Sequence, residues 1–211
     1  PWEKILEIDK IGENHQLILN KYPVQKGHIL LITNNWKPQN SWLDINDWDA
    51  IQKVNKDTSG LWFFNSSPIA GASQPHRHIQ LLRRSHGEVA CPRNKWFMDL
   101  IKRNDGDTKL KKNIVVSYIN FLEEPSKIYS LYLKLSKKIG LGDPINDEIP
   151  RYPHNILITN NWISIIRRKF DHLHGFSVNG LGFAGYLLIT EKSDDKYLKR
   201  FGPEKLLENF V

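Results

Sequence analysis

The sequence predicts an α+β protein, with flanking helices on a mainly antiparallel sheet. Short apolar or alternating runs, typical of β-strands, follow one another in pairs along the chain. Adjacent strands joined by short turns pair antiparallel. Only two segments show the three-to-four-residue apolar period of an amphipathic helix. Many paired strands and few helices favour α+β over a parallel α/β arrangement.

Five strands are predicted in the first 82 residues. The runs K-I-L-E-I-D-K-I-G and H-Q-L-I-L-N alternate as half-buried strands do. The run H-I-L-L-I-T-N at 28–34 is short, apolar and preceded by glycine, which predicts a buried strand. Two more strands, at 61–65 and 76–82, flank the turn-rich stretch S-S-P-I-A-G-A-S-Q-P.

Two helices are predicted between the strands. From Asp44 to Lys56, apolar residues recur every three positions behind acidic N-cap candidates. From Pro125 to Ile139, proline stands at the start and Gly140 follows the end. The segment 93–112 is basic and aperiodic, which predicts an irregular surface excursion.

A nine-residue stretch occurs twice, as H-I-L-L-I-T-N-N-W at 28–36 and H-N-I-L-I-T-N-N-W at 154–162. Each copy is followed by an asparagine, a loop and a predicted strand, but the second has no histidine pair. The repeat predicts an internal duplication within one catalytic unit, 1–211. Its parts are an N-terminal half at 1–92, a connecting segment with a helix at 93–150 and a degenerate second half at 151–211.

Composition narrows the classes of function. Thirty basic and 23 acidic residues give a net charge of +7, which favours an anionic partner. No apolar run approaches the roughly 20 residues of a membrane span. The single cysteine, Cys91, excludes an internal disulfide framework and a cysteine-rich zinc site, and a cytoplasmic location is expected. Because the chain begins at Pro1, we expect an upstream piece to be missing.

The stretch G-A-S-Q-P-H-R-H-I-Q at 71–80 carries the clearest chemistry. On a strand, residues two apart share a face, so His76, His78 and Gln80 point the same way. The small residues before them allow backbone N–H groups to approach a phosphate. An imidazole nucleophile beside an oxyanion cradle suits attack on phosphorus. Alternatively, His76 and His78 could be two ligands of a zinc ion. Such a site needs further ligands, and no nearby Cys/His pair supplies them.

The block N-S-S-P-I-A-G-A-S-Q-P-H-R-H-I-Q-L-L resembles the H-x-H-x-Q motif of the diadenosine tetraphosphate phosphorylases, or ATP adenylyltransferases. This family lies in the histidine-triad and galactose-1-phosphate uridylyltransferase superfamily. Further resemblance lies in L-N-K-Y-P-V, H-I-L-L-I-T, G-L-W-F-F-N, H-N-I-L-I-T and S-V-N-G-L-G-F-A-G, so that it spans most of the chain. It implies two related histidine-triad-like halves, forming an intramolecular pseudo-dimer.

The resemblance also implies roles for individual residues. His78 would be the nucleophile, His76 would orient it, and Gln80 would hold an oxygen of the α-phosphate. Residues matched to nucleotide or phosphate contacts of the family are Asn20, Lys21, Asn65, Gly71, Ala72, Ser73, Gln74, Asn179, Gly180, Leu181 and Tyr186. At the position of Tyr186 the family often has an apolar residue. Thr190 stands where some relatives carry a lysine.

The implied reaction is phosphorolysis of diadenosine tetraphosphate by inorganic phosphate to ADP and ATP, through an adenylyl-histidine. Mg²⁺ or a similar ion is expected to arrive with the nucleotide, with no metal held by protein ligands. Neither a membrane nor a nucleic acid is expected as a partner. Two alternatives stay open: nucleotidyl transfer from another donor, such as a UDP- or GDP-sugar, and a non-catalytic nucleotide- or nucleic-acid-binding module.

The remaining histidines and aromatic residues receive plainer interpretations. His28 and His154 begin the repeated strands and are predicted to be structural. A solvated surface role is predicted for His86, His172 and His174. Four tryptophans in predicted strands or helices are expected in the core, with base stacking open for one of them: Trp36, Trp48, Trp62 and Trp162. The basic runs at 109–112 and 167–169 are expected to form solvated faces.

Overall fold

The computed structural model describes residues 2–85, 87–103 and 108–211, so His86 lies outside the described residues. Its main feature is an eight-stranded antiparallel sheet in the order β1-β2-β3-β5-β4-β7-β8-β6. The strands are β1 (Glu7–Ile11), β2 (His15–Leu19), β3 (His28–Thr33), β4 (Ser59–Asn65), β5 (His78–Arg84), β6 (Ile114–Tyr118), β7 (His154–Ile158) and β8 (Trp162–Arg167). A separate hairpin contains β9 (His172–Leu173) and β10 (Phe176–Ser177).

Helices cover both faces of the sheet. They are α1 (Ile45–Asp57), α2 (Asn94–Arg103), α3 (Lys109–Lys112), α4 (Pro125–Lys138), α5 (Gly180–Ala184) and α6 (Asp195–Glu208). Two 3₁₀ turns lie at Lys4–Leu6 and Pro68–Ala70. The predicted α+β class with a mainly antiparallel sheet and flanking helices is confirmed. Among the described residues, no helix is both long and apolar enough to cross a membrane.

Alternation along β4 separates two hydrophobic cores. Trp62 and Phe64 face the side covered by α1 and α4, whereas Leu61 and Phe63 face the opposite side. The second core is closed by α2, α5 and α6, with Phe183 among its buried residues. Because both faces are covered, the central strands are continuous apolar runs rather than alternating ones.

The two predicted helices form close to their expected bounds. Asp44 caps α1: its side chain accepts a hydrogen bond from the N–H of Asn46 at 3.0 Å, and the Asp47 carboxylate accepts one from the Asp44 N–H at 2.8 Å. This reciprocal arrangement is a capping box. Pro125 opens α4, where its missing N–H costs no helical hydrogen bond.

The expectation of an irregular excursion at 93–112 is wrong, because α2 and α3 lie in this segment. Phe97 is fully buried and stacks on Trp162 with ring centroids 4.4 Å apart. The Arg93 guanidinium lies 4.0 Å from the centre of the Trp96 ring. Aromatic residues of α2 thus anchor this basic segment, although its charge pattern predicted a solvated surface.

The two copies of the nine-residue repeat occupy different places in the sheet. The first copy forms β3, which pairs with β2 and β5, and the second forms β7, which pairs with β4 and β8. The symmetry of the sheet instead relates β3-α1-β4-β5 to β6-α4-β7-β8, since β4 and β7 meet at its middle. The strand counterpart of β7 is therefore β4, and the nine-residue match does not mark equivalent strands.

The strand expected after the second asparagine loop is also absent from the described residues. Instead, Asn179 caps the short helix α5 by accepting a hydrogen bond from the N–H of Leu181 at 2.9 Å. Gly185 ends α5 with φ of 108°, a left-handed conformation that glycine adopts without strain. Residues 186–190 then run without regular structure. The caps at Asn179 and Gly185 thus define a short helix, and the apolar run that follows does not form the predicted strand.

Candidate functional site

His78 is the first residue of β5, and one hydrogen bond fixes the state of its imidazole. Its Nδ1 lies 2.8 Å from the backbone oxygen of His76. Because a carbonyl only accepts, Nδ1 carries the proton and Nε2 keeps its lone pair. Burial, with His76 nearby, lowers the pKa of His78 below the usual 6.5. The side chain, 6% exposed, therefore offers a neutral nitrogen suited to nucleophilic attack.

Gln80 follows His78 on the same face and is oriented by His28. The Gln80 Oε1 lies 3.0 Å from His28 Nε2. His28 Nδ1 lies 3.2 Å from the Asn20 amide nitrogen and accepts from the Val24 N–H at 3.4 Å. Two donors at Nδ1 place the proton on Nε2, so His28 donates to Gln80 and leaves the Gln80 amide N–H groups free.

The structural role predicted for His28 stays a prediction, and the structure adds which residues it contacts. Its ring contacts two predicted site residues, Asn20 and Gln80, and burial lowers its pKa, which keeps it neutral. Asn20 reaches the site through His28. Lys21 points elsewhere, since it is 53% exposed and pairs with Glu3 at 2.6 Å.

His76 lies just before β5 and is held at the end of the sheet. Its Nε2 lies 3.0 Å from the Thr33 hydroxyl and 3.3 Å from the Asn35 backbone oxygen. Its ring packs against Trp36, with centroids 5.2 Å apart. The backbone oxygen of His76 is the group that orients His78, so its positioning role operates through the main chain.

Gln39 is a site residue that the sequence did not reveal. Its Oε1 accepts from the N–H of His78 at 2.8 Å, and its Nε2 donates to the oxygens of Asn65 at 2.7 Å and His78 at 3.2 Å. The buried amide thus bridges the end of β4 and the start of β5. It replaces backbone pairing where the strands separate and fixes the backbone of His78.

The loop formed by residues 71–74 differs in detail from the expected phosphate nest. The Gly71 N–H donates to Pro68 and the Ala72 N–H donates to Ser67, at 2.8 and 2.9 Å, so both donors are used within the loop. Gly71 adopts φ of 89°, and a Cβ there would lie 2.4 Å from the Cβ of Asn179. The loop is thus packed directly against the C-terminal segment that contains α5.

Within the described part of the chain, no acceptor contacts the N–H groups of Ser73 and Gln74. These two amides are the loop donors available to an anionic ligand. The expected nest is therefore displaced by two residues toward the histidine motif, because the 3₁₀ turn uses the first two donors.

Asn65 lies behind this loop and has internal partners. Its Oδ1 accepts from the Gly180 N–H at 3.0 Å and from the Asn155 amide at 2.7 Å, and the side chain is 1% exposed. Gly180 is buried with it. Asn65 is thus placed to hold the two loops together, and Asn155, which the sequence did not indicate, completes the contact.

Arg168 extends this network, although the R-R-K run predicted a solvated face. It is 3% exposed and donates to Asn155 Oδ1 at 2.7 Å and to the oxygens of Phe170 and Val178 at 2.7 and 2.6 Å. Burial lowers its pKa to about 9. The expectation of a solvated face is wrong for Arg168: this cation also donates to the oxygen of Ala70 at 3.4 Å and so joins the second half to the start of the loop at 71–74.

A cavity of about 570 Å³ opens beside the loop. Its walls include Leu82, which shares the β5 face with His78 and Gln80, and Val24 from the loop between β2 and β3. Predicted site residues Gly71, Asn179, Leu181 and Tyr186 line it together with Thr190 and Lys192. Tyr186 OH accepts a hydrogen bond from Arg84 at 2.9 Å, which fixes the ring in the wall. The size suits a small-molecule ligand.

Comparisons with known proteins agree with this geometry. Residues 1–93 match the family described as Ap4A phosphorylase N-terminal domain, and residues 91–211 match the ATP adenylyltransferase C-terminal domain. Protein APA1 of Saccharomyces cerevisiae is 23% identical over 241 residues, covering 100% of this chain and 73% of the relative. Diadenosine 5',5'''-P1,P4-tetraphosphate phosphorylase 2 of the same yeast is 24% identical, covering 90% and 67%.

Solved structures show the same fold. Yeast Ap4A phosphorylase Apa2 in complex with AMP superposes with a TM-score of 0.74 at 22% identity, covering 98% of this chain and 76% of that one. The complex of Apa2 with Ap4A gives 0.71 at 20% identity, covering 99% and 76%. With a family match over more than half of its length, the chain belongs to the Ap4A phosphorylase (ATP adenylyltransferase) family of nucleotidyltransferases.

Proposed function

We propose that the chain catalyses phosphorolysis of diadenosine tetraphosphate (Ap4A) by inorganic phosphate to ADP and ATP, and the reverse reaction, through an adenylyl group on His78. The observation that carries this proposal is the bond between His78 Nδ1 and the His76 oxygen, at 2.8 Å. It leaves a neutral Nε2, and the loop that precedes His78 in the chain carries two amides, those of Ser73 and Gln74, that contact no acceptor within the described residues. Family membership supplies the adenine nucleotide as substrate class.

In the first step, His78 Nε2 attacks the α-phosphorus of Ap4A. A P–N bond forms while the bond from phosphorus to the bridging oxygen breaks, and ATP departs with that oxygen. The Nδ1 proton stays on the imidazole, and the His76 carbonyl that accepts its hydrogen bond stabilises the positive charge of the adduct. The free amide of Gln80 donates to a non-bridging oxygen, since its own oxygen is engaged by His28.

In the second step, an oxygen of inorganic phosphate attacks the adenylyl phosphorus from the opposite side. The P–N bond breaks, ADP leaves and neutral His78 is restored. Gln80 has no titratable proton, so it does not activate water as a base. Slow hydrolysis of the adduct lets phosphate act as the second substrate, which favours a transferase over a hydrolase outcome.

The test is intact-protein mass spectrometry of the wild type, His78→Ala and a control, His174→Asn, mixed with Ap4A without phosphate. His174 is exposed and has φ of 52°, a conformation that asparagine also tolerates. Samples are quenched at neutral to alkaline pH because the P–N bond is acid-labile. We expect an adenylyl mass on the wild type and control alone, and its loss with release of ADP when phosphate is added.

Other outcomes contradict the proposal in separable ways. Turnover to AMP and ATP without an adduct would contradict the transferase step. The absence of both an adduct and turnover would contradict Ap4A as the substrate. The next experiment would then be a panel of adenine, guanine and uracil donors, including nucleotide sugars. An adduct that persists in His78→Ala would contradict the assignment of the nucleophile.

Mg²⁺ bound to the nucleotide is part of the proposal, since four phosphates need counter-charge. Among the described residues, no group of three or more His, Cys, Asp or Glu side chains is placed to hold a metal ion. We expect chelation by EDTA to lower turnover, and full recovery on adding Mg²⁺ in proportion to the nucleotide. A cytoplasmic location also remains a prediction, with Cys91 buried and its thiol pKa raised to about 12 by that burial.

A further inference from the structure

A second cavity, of about 330 Å³, is also lined by residues of the loop at 71–74. Its walls include Ala72, Ser73 and Gln74 of the loop, together with Gln39 and Trp36. The first cavity instead contacts the loop at Gly71. The loop is therefore the partition between two separate spaces, each large enough for part of a ligand.

Trp36 is unusual among the tryptophans of this protein. Trp48, Trp62 and Trp162 are fully buried, as the sequence predicted, but Trp36 is 62% exposed, so its expected place in the core is wrong. It follows β3, where the chain turns away from the sheet. Its ring nevertheless has a fixed neighbour, since it packs on His76 at 5.2 Å with a tilt of 37°. A large aromatic surface thus remains open on the wall of the cavity.

The two cavities lie toward opposite ends of the catalytic strand. Leu82, beyond Gln80 on β5, lines the first cavity. His76, two residues before His78, packs on Trp36 of the second cavity. The nucleophile therefore lies between the two spaces, which is the arrangement that a ligand with one base on each side of its reacting phosphate requires.

We infer that the second cavity binds the base of the nucleoside that departs with the polyphosphate, stacked on Trp36. This inference rests on the proposed function, because it assumes a substrate with two nucleosides. A planar base is the chemistry that an exposed aromatic ring recognises, since every base has a π-face. The transferred adenylyl group then occupies the larger cavity, and the amides of Ser73 and Gln74 contact the phosphates between them.

The test compares two reactions of the wild type, Trp36→Ala and Trp36→Phe. Phosphorolysis of Ap4A uses both nucleosides. Exchange of labelled phosphate into ADP is the second chemical step run in both directions, and it uses one nucleoside only. Because base stacking on an aromatic ring changes binding roughly 5- to 100-fold, we expect Trp36→Ala to raise KM for Ap4A by about that factor. We expect exchange and KM for phosphate to stay unchanged, with Trp36→Phe near wild type.

Equal losses of phosphorolysis and exchange in Trp36→Ala would overturn the inference, because they would indicate disturbance of His76 rather than loss of stacking. An unchanged KM for Ap4A would also overturn it. Failure of the proposed function gives a different result: the wild type itself would then show neither phosphorolysis nor exchange. Phosphorolysis without exchange in the wild type would contradict the covalent route, and KM for Ap4A against KM for phosphate would then decide the role of Trp36.

Discussion

Two histidines in the two halves of the chain share a local geometry but differ in access. His78 begins β5 and His154 begins β7, and the Nδ1 of each lies close to the backbone oxygen two residues earlier, at 2.8 and 3.1 Å. His78 is 6% exposed, whereas the Nε2 of His154 is buried and has no partner among the described residues. Orienting an imidazole is therefore not enough for the proposed role of nucleophile, which also requires that Nε2 can be reached.

The second half is nevertheless more than a scaffold. It supplies Asn155 and Gly180, which donate to Asn65, and Arg168, which donates to Asn155, so that the end of β4 is joined to α5. Arg168 contacts carbonyl and amide oxygens, and no carboxylate lies within salt-bridge distance of it in the described ranges. A buried cation without a counter-ion is costly. We expect this cost to be offset by the hydrogen bonds that Arg168 donates to Asn155, Phe170 and Val178.

The largest effect among variants that keep the nucleophile is expected from Arg168→Met. Removing the guanidinium leaves the buried oxygens of Asn155 (Oδ1) and Val178 without this donor, which costs about 1–3 kcal/mol for each group. We expect a lower midpoint of thermal unfolding and a fall in kcat/KM of roughly 100-fold, since about 2.7 kcal/mol of positioning corresponds to that factor. Differential scanning calorimetry and phosphorolysis assays measure the two effects.

Arg168→Lys is the matched control for that prediction. It retains the charge but loses the planar fork that reaches several oxygens at once. We expect it to recover only part of the lost stability. If both variants kept wild-type kcat/KM, Arg168 would be shown to play no part in organising the loop at 71–74.

A smaller effect is expected at Gln39, which positions the nucleophile from within the first half. Gln39→Leu keeps the volume but leaves the N–H of His78 and the oxygen of Asn65 without their partner. We expect kcat to fall roughly 10-fold with KM for Ap4A little changed, because the loss of one buried hydrogen bond misplaces His78 without removing a substrate contact. A KM for Ap4A that rose together with the fall in kcat would instead indicate collapse of the adjacent cavity.

The sequence predicted the chemistry best where its residues are contiguous. Residues 71–80 carry the loop, both histidines and Gln80 in one stretch, so their spacing alone placed them on one strand and its approach. Gln39 reaches His78 across 39 positions, and Asn155 reaches Asn65 across 90. Such contacts arise from sheet pairing, which a single sequence does not record. The family resemblance indicated Asn65 but gave no sign of what holds it.

Burial explains the other errors. Arg168 lies in a basic run, which is typical of a solvated surface, and Trp36 lies in a strand-like run, which is typical of the core. Both patterns therefore predicted the wrong exposure. In the structure, Arg168 sits under the C-terminal loops and Trp36 projects from the end of β3. Which side of a turn a residue occupies depends on packing between elements distant in sequence. Local pattern therefore predicted the strands and helices but not the exposure of residues just beyond them.

Lowering the pH is expected to reduce activity through His78 and stability through His154. For activity, His78 must be neutral, and burial lowers its pKa in the folded protein below 6.5. Protonation removes the lone pair of Nε2. We expect kcat/KM to hold through neutral pH and, below the lowered pKa, to fall as much as about tenfold for each pH unit. A pH profile of phosphorolysis measures this acid limb, and a fall that begins above pH 6.5 would contradict it.

For stability, the relevant group is His154, whose pKa burial lowers from 6.5 to about 4. The unfolded chain binds a proton near pH 6.5 and the folded chain resists it, so stability falls as pH decreases from 6.5 toward 4. The loss reaches roughly 2–3 kcal/mol near pH 4. His154→Leu removes this contribution. We expect urea unfolding of the variant to depend less on pH across that window, while its acid limb of activity stays that of the wild type. A variant that shifted the activity profile and left the stability slope unchanged would reverse the roles assigned to the two histidines.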